Sequence, residues 1–431
     1  DSMLDMLKAA GANIVEFDEK ADIYIVNTCS VTNIADKKSR QMLHRARKMN
    51  PDGIVIAAGC YVQSAREILE QDEAIDIVIS NNKKKSITEI VNDYINVRNN
   101  EKNAPGKDHE AMEYFVDISR ETEYEEMGGH VPVGHTRAYV KIQDGCNQFC
   151  SYCIIPYVRG RIRSRSQEAI LAEVSELAEA GIKEVVLTGI HISSYGKDKN
   201  NEGALIELIE AISKIKGIKR IRLGSLEPGI ITEEFVERIS SNSKVCPHFH
   251  LSLQSGCDSV LKRMNRKYTC EQYFEKCDML RKAYKSPALT TDVIVGFPGE
   301  TEEEFAETVR YLTELNLYEM HIFKYSPRKG TVAAAMKEQV APEIKNERSD
   351  VLLKLAHDNK TAYEAQFEGC ELEVLVEEVV KKDNKTYLRG HTERYMDILI
   401  DVGDISMPES FVNSFVYVTY TQNGGNLPLL L

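Results

Sequence analysis

Three cysteines carry the first chemical signal in this chain. Cys146, Cys150 and Cys153 stand in a Cys-x-x-x-Cys-x-x-Cys spacing inside the stretch KIQDGCNQFCSYCIIPYVRGRIRSR, residues 141–165. Thiolates are soft ligands suited to iron–sulfur clusters or zinc, and gaps of two and three residues let one loop wrap several sulfurs round a single centre. A structural zinc site closes four positions, whereas three sulfurs on a cubane of four irons leave one iron open to a substrate or cofactor. His135, the nearest histidine upstream, would complete a zinc site only by folding back over the strand that follows it. Two further cysteines, Cys29 and Cys60, each end an apolar run, ADIYIVNTC and GIVIAAGC. Taken alone they are weak evidence, because buried cysteines at strand ends are common and two ligands do not hold a cluster.

The elements that must position these residues are legible in the pattern. Apolar runs at 21–29, 53–60 and 74–80 alternate with helical patterns at 34–48, 63–71 and 84–97, which predicts a parallel, doubly wound sheet. Cys29 and Cys60 then sit just past the carboxyl ends of strands, where open α/β sheets place ligands. Residues 99–134 turn polar and acidic and read as a linker with one short strand at 114–118. After it a strand-then-helix unit recurs six times, with strands near 138–142, 184–187, 220–223, 249–253, 289–295 and 319–325. This predicts an open, partial (β/α)6 barrel with its chemistry at the carboxyl ends. Glycines in the loops there, Gly189, Gly256 and Gly296, let backbone approach a ligand closely. A helix near 342–368 leads into alternating, β-branched segments that predict a small closed β-barrel. The expected division is 1–98, linker 99–134, 135–365 and 366–431.

With 431 residues, 42% apolar and 28% charged, the chain has the composition of a soluble globular protein. No apolar run approaches the roughly 20 residues that span a bilayer, and no basic-then-apolar signal opens the chain; a cytoplasmic location is expected. Ten cysteines without a secretory signal argue for metal ligation and free thiols. Cys246, Cys257, Cys270, Cys277 and Cys370 lack ligand spacing and read as small buried hydrophobes. A net charge of −13 speaks against nucleic-acid binding over the whole surface. The basic residues nevertheless cluster: six of the twelve residues at 37–48, the alternating Arg159, Arg161, Arg163 and Arg165, and the group Lys262, Arg263, Arg266 and Lys267. Two of these clusters adjoin the suspected site loops, which favours an anionic polymer as substrate. His191, His248 and His250 read as hydrogen-bonded structural histidines.

The cysteine loop resembles the radical S-adenosylmethionine (SAM) superfamily, in which the open iron chelates the amino and carboxylate groups of SAM and an aromatic residue before the third cysteine lies against the adenine. Tyr152 occupies that place. The segments NTCSVTNIADKKSR and AAGCYVQ resemble the N-terminal domain of the methylthiotransferases, a subfamily in which three cysteines on three strand ends hold an auxiliary cluster. By that resemblance Cys29 and Cys60 are two of the three ligands, and the first belongs to a strand upstream of the helix with which this sequence begins. The barrel loops resemble the radical-SAM core, which implies Gly189 beside the methionine end of SAM and the strand end at Gly296 beside its adenine. The C-terminal segment resembles the RNA-binding TRAM domain, with Lys385, Arg389, His391 and Arg394 offered to phosphate.

The resemblance implies two [4Fe-4S] clusters, SAM, a tRNA anticodon loop held by Arg159, Arg161, Arg163 and Arg165, and an electron donor such as flavodoxin or ferredoxin. Within the subfamily GCNQFCSYCIIPYVRGRIRSR and LTGIHISSYG look most like enzymes that add a methylthio group to carbon 2 of N6-threonylcarbamoyladenosine at tRNA position 37. Relatives that act on isopentenyl-adenosine or on a ribosomal-protein aspartate are the alternatives, and an RNA-binding protein that has lost catalysis is the reading of a different class.

Overall fold

Four parallel strands, β1 (Ile23–Thr28), β2 (Ile54–Gly59), β3 (Ile77–Ile79) and β4 (Met112–Tyr114), line up in sequence order in a computed structural model. The structure describes residues 2–30, 32–101, 112–129, 136–383, 385–403, 407–421 and 425–426. It forms two compact units, one of Asp1–His130, Asp144–Arg165 and Ser326–Ala335, the other of Val131–Gln143, Ser166–Tyr325 and Met336–Leu431.

In the first unit β2 is buried along its whole length, so its sequence shows no polar alternation. Ile54, Ile56 and Ala58 pack on one face with Ile87, Ile90 and Val91 of the helix Ile87–Glu101 and with Leu7 of the helix Ser2–Ala9. Val55 and Ala57 pack on the other face with Leu43 and Ala46 of the helix Asn33–Met49 and with Leu69. Helices therefore cover both faces, as the run pattern predicts. Two details differ from the sequence reading. The expected helix at 63–71 is broken at Ala65 (φ −134°) into Cys60–Ser64 and Arg66–Glu70. The short strand expected at 114–118 is β4, three residues earlier in its centre, because it extends the sheet by pairing Tyr114 with Ile79.

The second unit takes in β5 (Arg137–Asp144) as far as Gln143, while the two-residue β6 (Arg163–Ser164) belongs to the first. β5, β7 (Glu184–Gly189) and β8 (Arg220–Leu223) run parallel. Single bridges, Ile221 to Val245 and Leu226 to Leu251, continue the sheet to β9 (His248–His250), and β10 (Ala288–Val295) and β11 (Glu319–Lys324) complete six parallel strands. Helices such as Gln167–Glu179, Ala204–Ser213 and Glu302–Leu315 bury Ile170, Val174, Leu208, Ile212 and Leu312 against them. Two helix starts in the unit are fixed by reciprocal caps: Thr269 with Gln272, and Thr301 with Glu304.

A 24-residue helix, Pro342–Ala365, leads into a closed barrel of β12 (Glu371–Lys382), β13 (Lys385–Thr392), β14 (Asp397–Asp401), β15 (Phe415–Thr419) and β16 (Gly425–Asn426). It packs on the amino ends of β7 and β8. Arg222 is buried there, paired with Glu184 at 2.9 Å and donating to Glu393 O at 3.0 Å. Burial works against the charge of Glu184, but Arg222 and Arg220 beside it hold its carboxyl below the usual range. No described helix is long and apolar enough to cross a membrane.

Candidate functional site

The cysteine loop follows β5 in the chain and closes on itself. Gly145 turns the backbone with φ +73°, and a Cβ there would lie 1.8 Å from Arg161 O, so no other residue fits the turn. The Cys146 N–H donates to Gly160 O at 3.0 Å and the Cys153 N–H to Cys150 O at 2.9 Å. Phe149 takes φ +50° between the first two cysteines, and its ring lies 4.6 Å beneath the Arg161 guanidinium and edge-on to Tyr157. The Gln148 N–H points at Cys146 Sγ at 3.5 Å, the environment of a sulfur that carries negative charge. Cys146 is buried while Cys150, Cys153 and Tyr152 are half-buried. Three sulfurs on one closed loop, one of them already receiving a backbone N–H, fit a [4Fe-4S] cluster with an open iron. His135, the zinc alternative, lies outside the described residues.

Cys29 and Cys60 come together by sheet register. Thr28 pairs with Gly59, so the next residue of each chain leaves its strand beside the other. Gly59 has φ +101° and a Cβ would sit 2.5 Å from Thr28 O; the turn that presents Cys60 exists only with glycine. The Thr28 hydroxyl donates to Ala58 O at 2.5 Å and accepts from the Tyr61 N–H at 3.2 Å, which pins both exits. Cys29 is exposed and Cys60 buried.

Residues to which the sequence gives another role, or none, surround this pair. Cys60 Sγ accepts from Arg159 Nε at 3.0 Å and from Asn81 Nδ2 at 3.8 Å. Arg159 and the fully buried Arg163 both face the Asp144 carboxylate, at 3.3 and 3.8 Å. Burial opposes the charge of Arg159, yet Asp144 and Cys60 raise its pKa. The guanidiniums of the half-buried Arg159 and the buried Arg163 face one carboxylate, and Arg159 directs its Nε–H at the Cys60 sulfur. On the other side Arg328 donates to Ser30 Oγ (2.8 Å), Asn33 Oδ1 (2.7 Å) and Asp36 Oδ2 (2.7 Å), fixing the turn after Cys29. Arg328 had no signal in the sequence beyond its type; only the fold shows it buried.

The four side chains of the arginine run are not equally open to solvent. Arg163 and Arg165 are buried, at 0% and 5% exposure, and Arg165 grips Glu126 with two bonds of 2.6 and 2.7 Å. Arg159 is committed to Cys60 and Asp144, and Arg161 alone of the four is exposed. The barrel cations are likewise engaged: Lys385 with Asp401, Arg389 with Asp397, His391 with Glu377 and Arg394 with Glu393. An acidic sequence supplies these partners.

At the carboxyl ends of the second unit's strands Gly189 is small for a packing reason, since a Cβ would meet Gln143 O at 2.8 Å. Gly296, with φ +68°, has the Lys345 stem 2.3 Å from where a Cβ would be, and Gly256 abuts Thr308 and Tyr311. Each of these glycines is crowded by the chain's own atoms on the side where a Cβ would stand. The His191 N–H donates to Gln143 Oε1 at 2.8 Å and its Nδ1 meets Ser194 Oγ at 2.5 Å. Burial, with Arg266 and Lys197, brings the His191 pKa down to about 4, so the ring is neutral near pH 7. His248 is pushed well below its ordinary value by burial. Cys246, Cys257 and Cys277 are buried as expected; Cys270 is half-buried and Cys370 exposed, contrary to the expectation for those two. Burial pushes the Cys246 and Cys277 thiols up to about 12, which makes them inert.

Residues 140–312 match the radical SAM superfamily, and residues 1–80 match a family described as uncharacterized protein family UPF0004. A threonylcarbamoyladenosine tRNA methylthiotransferase, MtaB, of Bacillus subtilis is 38% identical over 93% of this chain and 86% of its own length. The chain belongs to the radical SAM methylthiotransferases. Another member, a tRNA-2-methylthio-N(6)-dimethylallyladenosine synthase of Thermoanaerobacter pseudethanolicus, is 36% identical over 98% of this methylthiotransferase and 87% of its own length. Among solved structures the radical SAM methyltransferase TsrM of Kitasatospora setae matches with a TM-score of 0.56 at 15% identity, covering 78% of this chain and 68% of that one; at that identity the likeness concerns the fold. Membership makes a [4Fe-4S] cluster and SAM the cofactors of this methylthiotransferase.

Proposed function

We propose that this enzyme adds a methylthio group to carbon 2 of N6-threonylcarbamoyladenosine at position 37 of tRNA. The observation that carries the reading is the joint presence in one chain of the self-closed Cys146–Cys150–Cys153 loop and of Cys29 and Cys60 at paired strand ends. The 38% identity to the Bacillus subtilis enzyme over nearly the whole of both chains supports the choice of base. Cys146, Cys150 and Cys153 would hold the first [4Fe-4S] cluster, with Tyr152 on the side of SAM. Cys29 and Cys60 would contribute to the second, where Arg159 and Asn81 already direct N–H groups at the Cys60 sulfur. Bound there, the clusters and SAM supply reductive SAM cleavage, hydrogen removal from carbon, and a sulfur to transfer.

The chain's own part is positional. Gly145 and Gly59 allow the turns that present the sulfurs, Arg328 holds the Cys29 turn, and the neutral His191 stays hydrogen-bonded rather than competing as a base. A base in an anticodon loop can be splayed into a pocket for a few kcal/mol. The C-terminal barrel would serve as a TRAM-type RNA-binding domain and Arg161 as a phosphate contact. The domain limits 1–98, 99–134, 135–365 and 366–431, a flavodoxin or ferredoxin as reductant, and a cytoplasmic location belong to the same proposal.

The test is nucleoside mass spectrometry of tRNA from cells lacking the gene, complemented with wild type or Cys150→Ala. Wild type alone should restore 2-methylthio-N6-threonylcarbamoyladenosine. Restoration of the methylthiolated dimethylallyl nucleoside instead would move the assignment to the substrate named for the Thermoanaerobacter relative. Restoration of neither would overturn the tRNA reading.

A further inference from the structure

Three adjacent strands of the second unit place two histidines and an aspartate together. His250 ends β9, Asp292 lies in the middle of β10 and His321 on β11; the register sets His250 opposite Thr290 and Asp292 opposite His321. Strand alternation separates this face from the core: Phe249, Leu251, Val293 and Met320 point into the helix-covered hydrophobic cluster, and His250, Thr290, Asp292 and His321 share the other face. We infer that His250, Asp292 and His321 form a binding site for a divalent transition-metal ion, separate from the cysteine centres.

The geometry supports this on three counts. One ligand atom from each residue, a ring nitrogen of either histidine and a carboxylate oxygen, lies within 4.8 Å of the other two. His250 Nε2 and Asp292 Oδ2 are 3.4 Å apart. A tetrahedral or octahedral ion with bonds of about 2.1 Å holds neighbouring ligand atoms about 3.0–3.4 Å apart, so this pair already has the required separation. His250 Nε2 is also buried with no hydrogen-bond partner, which is costly for a ring nitrogen unless something fills its lone pair.

The other ring nitrogen has a partner that suits this role. Nδ1 of His250 is 3.0 Å from Thr290 Oγ1. With its N–H donating there, Nε2 carries the lone pair and the ring is held in orientation, the arrangement that supports a metal-bound histidine. The strand is held at Asp292, whose backbone carbonyl accepts the Gln254 N–H at 2.9 Å. His321 is exposed, so it can turn to close the site and the remaining coordination positions open toward solvent. Two imidazoles and one carboxylate suit Zn²⁺, Fe²⁺ or Co²⁺ better than Mg²⁺ or Ca²⁺, which prefer oxygen alone. The complex carries one net positive charge and three protein ligands, so it would take up water or an anionic oxygen of a bound molecule.

The experiment uses the full chain with its iron–sulfur sites reconstituted anaerobically and zinc as the probe, by equilibrium dialysis against a buffered zinc series and zinc K-edge absorption. The expected result is one zinc per chain beyond the iron, with a nitrogen/oxygen first shell. Asp292→Asn and His321→Ala should each weaken that uptake at least about 100-fold, and Thr290→Val about 10-fold. His321 is exposed, so its replacement tests the ligand without disturbing the core; unchanged iron content and circular dichroism verify folding. Zinc uptake equal in wild type and in both ligand variants, a shell containing sulfur, or no uptake by wild type would each overturn the site. Because the donors are not cysteines, these outcomes are read independently of whether tRNA is the substrate.

Discussion

The two cysteine sites of the first unit are built in opposite ways. Cys146, Cys150 and Cys153 occupy eight consecutive positions, and a single glycine turn with two backbone hydrogen bonds orders them. Cys29 and Cys60 are 31 positions apart and meet because β1 and β2 pair in register up to Thr28 and Gly59. The local site depends on a few torsions; the other depends on the sheet, on Gly59, and on the Arg328 and Arg159 contacts that flank it. A local loop can gather three ligands cheaply in entropy, whereas strand ends must first be paired. The buried guanidiniums collect at the strand-end site, where sulfur is presented to positive charge rather than to backbone N–H groups alone.

This contrast can be broken by substitution. The largest effect expected is from Cys150→Ala, which should reduce 5′-deoxyadenosine formation from SAM under dithionite to background; measurable turnover in that variant would remove the loop from its assigned role. Gly145→Ala should approach the same loss through its clash with Arg161 O, read as iron retention after desalting. Next comes Cys60→Ala, which should abolish the methylthiolated product while 5′-deoxyadenosine stays within a few-fold of wild type. If both products vanish together, the two sites do not act separately.

A smaller shift is expected for Arg159→Gln. Loss of a charge-assisted hydrogen bond to sulfur is worth about 1.5–3 kcal/mol, and it should appear as a lower midpoint potential of the second centre with the first unchanged. An unchanged potential would reduce Arg159 to a packing role. The smallest effect is from Arg161→Ala. As one phosphate contact it should lower the salt slope of tRNA binding by about 0.7–0.9, whereas Arg163→Ala should leave that slope alone and loosen the loop. A slope change for Arg163→Ala would contradict its burial.

Much of this was open to reading before any coordinates. The loop spacing, the alternation of runs in the first unit and the six strand-then-helix repeats all reflect local rules, namely ligand gaps and side-chain period, that short segments carry by themselves. The strands at 220–223 and 319–325 and the helix at 302–315 appear within a residue of expectation for that reason. Alternation along a chain does not say which arginines face solvent: Arg163 and Arg165 meet carboxylates inside the fold, while Arg161 is exposed. At Gly189 and Gly296 a packing reason for glycine is invisible in the sequence, since the atoms crowding them, Gln143 O and the Lys345 stem, are 46 and 49 positions away.

The sequence by itself determined the donor types, the three-sulfur loop and the order of strands and helices, because each depends on neighbours within a few residues. Tertiary structure alone decided which charges are spent inside, why Cys60 meets Arg159, and that His250, Asp292 and His321 share a face. Those outcomes depend on parallel strand register and on burial, and both are settled only when distant segments pack and must satisfy one another's polar groups.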